Sequence, residues 1–164
     1  MDLKEYTMEE LLLTAIKSER DANDIYTRLS AGVKNAILKD RLRFLAAEER
    51  KHEAFVEELF HRQFPGRDVV LPERTPVPMP EVRIPAEHVP VSHIIGDAMR
   101  AERAAAQFYS AFAKRYTQDK EVRDMLEYFA AMESIHYELL EKEKATADRF
   151  ESYDSMWPMM HAGP

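Results

Sequence analysis

The chain has 164 residues, 45% hydrophobic and 32% charged, which suits one domain of ordinary size or two very small ones. Four glycines against nine prolines speak against a turn-rich all-β fold, and a net charge of −7 makes nucleic acid and anionic membranes poor partners. Cysteine is absent, which excludes disulfides, thiolate zinc sites, iron–sulfur clusters and cysteine nucleophiles.

The opening, MDLKEYTMEELL, carries acids where a signal peptide needs a basic patch and an apolar run. No apolar run approaches the roughly eighteen residues of a membrane span. A soluble, cytoplasmic protein is expected. Thr7-Met8-Glu9-Glu10 fits a capping box, Thr7 as N-cap and Glu10 reaching back, and predicts a helix over about 7–31 with Gly32 as a left-handed stop. A second helix is expected over 34–64, ended by Pro65-Gly66. Seven of the nine prolines then fall between Pro65 and Pro90, and no helix can run through them. Extended at about 3.1 Å per residue, this stretch would reach roughly 80 Å. A 25-residue helix is only about 37 Å long. Residues 65–90 are therefore read as a crossover that lets the third helix start beside the start of the second. The other reading, a linker between two hairpins, would leave each hairpin without a core.

Ser92 can cap a third helix over 92–116. Gln118-Asp119 makes a short turn, and Asp119 can cap a last helix over 119–150. The tail, residues 151–164, shows no helical logic after Trp157-Pro158. The expected fold is all-α, a single-domain four-helix bundle over 1–164 with a long Pro-rich crossover between helices 2 and 3.

The two halves repeat one another. Glu19-Arg20-x-Ala22-x-x-x-Tyr26 recurs as Glu102-Arg103-x-Ala105-x-x-x-Tyr109, and Phe44-Leu45-Ala46-Ala47-Glu48-Glu49-x-x-His52 as Tyr128-Phe129-Ala130-Ala131-Met132-Glu133-x-x-His136. Each half supplies one lone glutamate and one Glu-x-x-His. Residues at i±3, i±4 and i±7 share a helix face. On that rule Glu19 lies among Leu12, Ala15, Ile16 and Ala22, and Glu49 among Leu42, Leu45, Ala46 and Val56. Glu102 lies among Ile95, Ala98, Met99 and Ala105, and Glu133 among Leu126, Phe129, Ala130 and Leu140. Four glutamates thus sit midway along four apolar stripes. A buried unpaired carboxylate costs several kcal/mol, and four together also repel.

Two divalent cations would balance four carboxylates. Each Glu-x-x-His aims both side chains at one centre, and carboxylate with imidazole suits iron or manganese, zinc being a redox-silent occupant. One Glu-x-x-His alone is the product of chance in a charged helix. Two, placed symmetrically with two further core-facing glutamates, make a dimetal site. Tyr26 and Tyr109 lie two turns beyond Glu19 and Glu102. Either they hydrogen-bond to the metal-binding carboxylates or they are core aromatics with satisfied hydroxyls. Glu48, Glu53, Glu57, Glu58, Glu138, Glu141 and Glu143 read as a solvated charged face, and His61, His88, His93 and His161 as surface residues. The tail methionines read as gap-fillers or a subunit contact.

These motifs resemble the ferritin-like superfamily, most closely the helical domain of rubrerythrins, over about residues 7–150. The resemblance implies two bound irons, reduction of hydrogen peroxide, and Glu19, Glu49, His52, Glu102, Glu133 and His136 as ligands. It further implies that Glu49 and Glu133 bridge the metals while Glu19 and Glu102 are terminal. Two features depart from the family pattern. The chain lacks the cysteines of a rubredoxin-like relay domain, so electrons must come from an external donor such as a rubredoxin-like protein or a flavoprotein. Ala105 also stands where rubrerythrins carry an extra glutamate. The expected protein is a dimetal oxidoreductase acting on peroxide or dioxygen, as a homodimer. The competing readings are a ferroxidase that stores iron in a hollow shell and a structural bundle with a vestigial site.

Overall fold

The computed structural model of the protein describes residues 1–80, 82, 90–117 and 119–156, the last four in backbone only. Four helices, with no strand among the described residues, make an all-α fold: α1 (Met8–Gly32), α2 (Ala36–Gln63), α3 (Val91–Arg115) and α4 (Lys120–Met156). α1 packs along α2, and α3 along α4. The capping box forms as expected, Glu10 N donating to Thr7 Oγ1 at 3.2 Å and Thr7 N to Glu10 Oε2 at 2.8 Å. Asn35 caps α2, accepting from Leu38 N at 3.0 Å. Asp119 takes up the first amides of α4, those of Glu121 and Val122.

Three local expectations need correction. Gly32 is not a left-handed stop: α1 closes on Val33, whose extended backbone lets its side chain enter the core while its N–H reaches Leu29 O. The positive φ falls at Gly66 instead, at 77°. Ser92 does not cap α3. Pro90 holds the cap position, and Ser92 is the second residue of the helix, its N and Oγ 3.2 and 2.5 Å from the Glu151 carboxylate. That contact accompanies the third difference, since α4 continues to Met156, six residues into the expected tail. Gln118, Glu81 and residues 83–89 of the expected crossover, His88 among them, and the tail from Trp157 lie outside the described residues.

The core is in two pieces. At one end Leu11, Leu12 and Ile16 of α1 meet Val56 and Phe60 of α2, Phe108 and Phe112 of α3, and Leu126 and Phe129 of α4. At the other, Tyr26 and Leu29 meet Leu42, Leu45, Ile95, Ala98 and Leu140. This sorting fixes the directions: α3 begins at the end of the bundle where α2 begins, so the chain between them must return along its length. Its described part lies against α1. Arg67 forks onto the Glu9 carboxylate, at 3.0 Å through Nη1. Further on, Val77 is buried and its N–H donates to Thr14 Oγ1 at 3.1 Å. Thr14 in turn donates to Glu10 O at 2.7 Å, so one fully buried hydroxyl ties this segment to α1.

Thr14→Val keeps the shape and strands the Val77 amide without an acceptor. It should lower unfolding free energy by about 1–3 kcal/mol in a denaturant titration and selectively speed hydrogen exchange at Val77. Unchanged exchange at that amide would show that Thr14 does not hold the segment.

Candidate metal centre

Between the two apolar clusters lies a band of polar groups. Glu19 comes from α1, Glu49 and His52 from α2, Glu102 from α3, and Glu133 and His136 from α4, none more than 3% exposed. Helical spacing explains their meeting: each acid takes the place of an apolar residue on the inward stripe of its helix. Arginines following the lone glutamates brace each hairpin at this level. Arg20 reaches Glu53 and Glu57 of α2 at 2.6 and 2.7 Å, and its repeat, Arg103, donates to Tyr137 of α4 and stacks over its ring.

The six groups fall into two overlapping sets, Glu19, Glu49, His52 and Glu133, and Glu49, Glu102, Glu133 and His136. Within each set one ligand atom per residue lies within 4.8 Å of all the others. Glu49 and Glu133 belong to both. His52 Nδ1 is 2.9 Å from Glu133 Oε1 and 3.5 Å from both Glu19 Oε2 and Glu49 Oε2. His136 Nδ1 is 3.0 Å from Glu49 Oε1, 3.4 Å from Glu133 Oε2 and 3.7 Å from Glu102 Oε2. Each histidine thus faces the glutamate of the opposite Glu-x-x-His as closely as its own. Yet Glu49 Oε1, His52 Nδ1, Glu133 Oε1, and both ring nitrogens of His136 are buried without hydrogen-bond geometry to any described group. Short separations with lone pairs converging, and no directed hydrogen bond, are what a cation-binding donor set requires. The carboxylate and imidazole donors fit iron or manganese.

Both tyrosines reach this band, and they do so crosswise. Tyr26 of the first half donates its hydroxyl to Glu102 Oε1 of the second, and Tyr109 of the second to Glu19 Oε1 of the first. Both are also fully enclosed in the core, so the two sequence readings of these residues hold together. Phe129, expected on the Glu133 stripe, also borders the band. Its ring lies 4.3 Å from the His52 ring.

Glu48, Glu53 and Glu143 are less solvated than expected, because each is half-buried in an ion pair, with Lys51, Arg20 and Arg41 respectively. Glu57 is likewise paired with Arg20. Glu58, Glu138 and Glu141 are exposed, as are His61 and His93. His161 lies outside the described residues.

Burial, and then the charge of Glu133, raises the Glu19 carboxyl well above the usual range, and burial with the charges of Glu49 and Glu133 does the same to Glu102. Burial opposes a charge on His52, but the carboxylates of Glu133, Glu19 and Glu49 outweigh it and push its pKa up to about 12. His136 is raised for the same reasons, through Glu102, Glu133 and Glu49. Glu133 moves down: burial resists, but the nearby Glu102 carboxyl and the His136 and His52 imidazoles prevail. These shifts favour a proton load on both imidazoles and on Glu19 and Glu102. The Tyr26 and Tyr109 hydroxyls, raised by burial and by Glu102 and Glu19 respectively, stay neutral donors.

A family model described as rubrerythrin matches residues 10–144, a span that includes all six groups. A hypothetical protein from Pyrococcus furiosus has a similar structure, with a TM-score of 0.81 and 32% sequence identity, covering 92% of this chain and 98% of that one. No curated protein sequence matches significantly. No helix among the described residues is long and apolar enough to cross a membrane.

The proton load has a sign. Groups with raised pKa bind more protons folded than unfolded, so they lower stability as pH climbs from each unfolded value towards the folded one. For Glu19 and Glu102 that fall begins above about 4.5, and for the histidines above about 6.5. The chelator-treated protein should therefore melt at lower temperature at about pH 9 than at about pH 6, and added Fe(II) under anaerobic conditions should release protons and raise Tm. A Tm indifferent to both chelator and Fe(II) would count against a buried cation site.

Proposed function

We propose, from the premise that this chain belongs to the rubrerythrin family, that it is a non-haem di-iron oxidoreductase that reduces hydrogen peroxide with electrons from another protein. The observation that carries this reading is the sharing of Glu49 and Glu133 between two buried donor sets. In it, Glu19 and His52 would hold one metal ion, Glu102 and His136 would hold the other, and Glu49 and Glu133 would serve both. Two iron ions, in a ligand set that also accommodates manganese or zinc, would supply one electron each, the two that cleavage of a peroxide O–O bond requires.

The chain's own residues do the positioning. The hydroxyls of Tyr26 and Tyr109 fix the orientations of Glu102 and Glu19, leaving the second oxygen of each carboxylate free to face the centre. Apolar clusters on both sides exclude bulk water along the bundle axis. Because the chain has no cysteine to hold a relay iron, re-reduction falls to an external donor, a rubredoxin-like protein or a flavoprotein. We place this activity in the cytoplasm, in defence against oxidative stress, with a homodimer as the working unit.

One observation favours a second reading. Ala105 occupies the place of an extra acidic group, leaving six donors, a set equally suited to ferroxidase chemistry with dioxygen. A large cage in size-exclusion chromatography would favour iron storage, whereas a dimer would favour the enzyme. Failure of gently purified protein to carry or take up metal would leave only a structural bundle.

Metal analysis should find two ions per chain at saturation. Glu49→Ala and Glu133→Ala should each damage both sites, whereas Glu48→Ala, which breaks only the surface pair with Lys51, should load near wild type. Equal losses from Glu48→Ala and Glu49→Ala would refute the ligand assignment.

In stopped-flow mixing, the di-ferrous protein should consume one equivalent of peroxide rapidly and then stall. A reduced rubredoxin-like or flavoprotein donor should restore cycling at a rate that rises with donor concentration. Oxidation by dioxygen orders of magnitude faster than by peroxide would replace peroxide reduction with iron oxidation as the function.

A further inference from the structure

A cavity of about 460 Å³ opens between α1, α3 and residues 73–80 and 82, and descends to the central carboxylates. Its composition changes with depth. The floor is polar, formed by the four glutamates and the buried Tyr26. Above it the wall is methyl: Ala98, Ala101 and Ala105 follow one another a turn apart on α3, facing Ala22 and Ile25 of α1. Met79 and Val82 extend that apolar wall outward. At the rim the side chains are exposed and ionic, with both signs present in Asp21, Asp24, Arg28, Glu73 and Arg74.

Hydrogen peroxide or dioxygen needs little more room than a water molecule, whose share of liquid volume is about 30 Å³. The cavity instead falls within the roughly 300–1,000 Å³ of small organic ligand sites. The methyl wall offers a hydrocarbon body a surface to bury, while the floor offers a hydroperoxy group acceptors in the carboxylates. The three alanines are what keep the space open.

We infer that this cavity binds an alkyl or aryl hydroperoxide, its carbon body against the alanine wall and its –OOH group on the carboxylate floor, so that organic hydroperoxides are substrates alongside hydrogen peroxide. The inference rests on the redox reading of the centre proposed above. In the reaction the O–O bond breaks, two electrons come from the two Fe(II) ions, which become Fe(III), and two protons from solvent complete one alcohol and one water.

The test separates binding from redox chemistry. Cumyl alcohol, the unreactive product of cumene hydroperoxide, is titrated into metal-free protein carrying 13C-methyl alanine. Saturable shifts are expected at Ala98, Ala101 and Ala105, and those at Ala98 and Ala105 should be lost in Ala101→Leu and Ala22→Leu, two half-buried positions on opposite walls, each variant first shown to melt cooperatively. In the iron-loaded protein, the ratio of oxidation rates with cumene hydroperoxide and hydrogen peroxide should fall at least about tenfold in both variants. No saturable shift at these methyls, or an unchanged rate ratio in both folded variants, would overturn the inference even if hydrogen peroxide is reduced. Saturable binding in a protein inert to both peroxides would uphold the cavity as a site for the carbon body and overturn the redox reading.

Discussion

Four carboxylates in the middle of a hydrophobic core are the constraint on which the rest of this structure depends. Left ionised and unpaired they would cost several kcal/mol each and repel one another, so no bundle would place them there without compensation. Here the compensation is collective. Each imidazole is set against the glutamate of the opposite helix, two acids are raised well above the usual carboxyl range, and two tyrosine hydroxyls complete the shell. The apolar core yields the centre of the bundle to this band and gathers at its two ends instead.

The same band joins the halves. Each donor set takes three residues from one hairpin and one from the other, so neither hairpin completes a set alone. The crossed tyrosines act likewise, since each orients a carboxylate belonging to the other repeat. Internal duplication has thus produced one centre, not two.

How much of this was legible in the sequence follows from the range of the interactions. The six donors were legible because helical periodicity is local: a glutamate flanked by Leu and Ala at i±3 and i±4 faces inward whatever its partners are. The repeat made them stand out, and the Thr7 capping box was equally local. What escaped were contacts between distant parts of the chain. Ser92 resembles an N-cap in isolation, and only the extension of α4 to Glu151 gives it another partner. Gly32 resembles a helix stop, but burial of Val33 favours an extended exit. Glu53 and Glu143 resemble solvated acids until a neighbouring helix brings Arg20 and Arg41 to them. The cavity was beyond reach, because one wall comes from an aperiodic proline-rich segment whose path no pattern encodes.

That segment has a further effect on symmetry. The repeat relates α1 to α3 and α2 to α4, and the six donors obey that relation closely. The segment does not: it lies against α1, tied by Arg67 to Glu9 and by Val77 to Thr14. Glu19 and Glu102, equivalent in sequence, therefore sit on helices with unlike surroundings, since it is α1 that Arg67 and Val77 are tied to. A two-fold set of donors is made directional by a single stretch of chain, and a molecule arriving from solvent meets a centre with a front and a back.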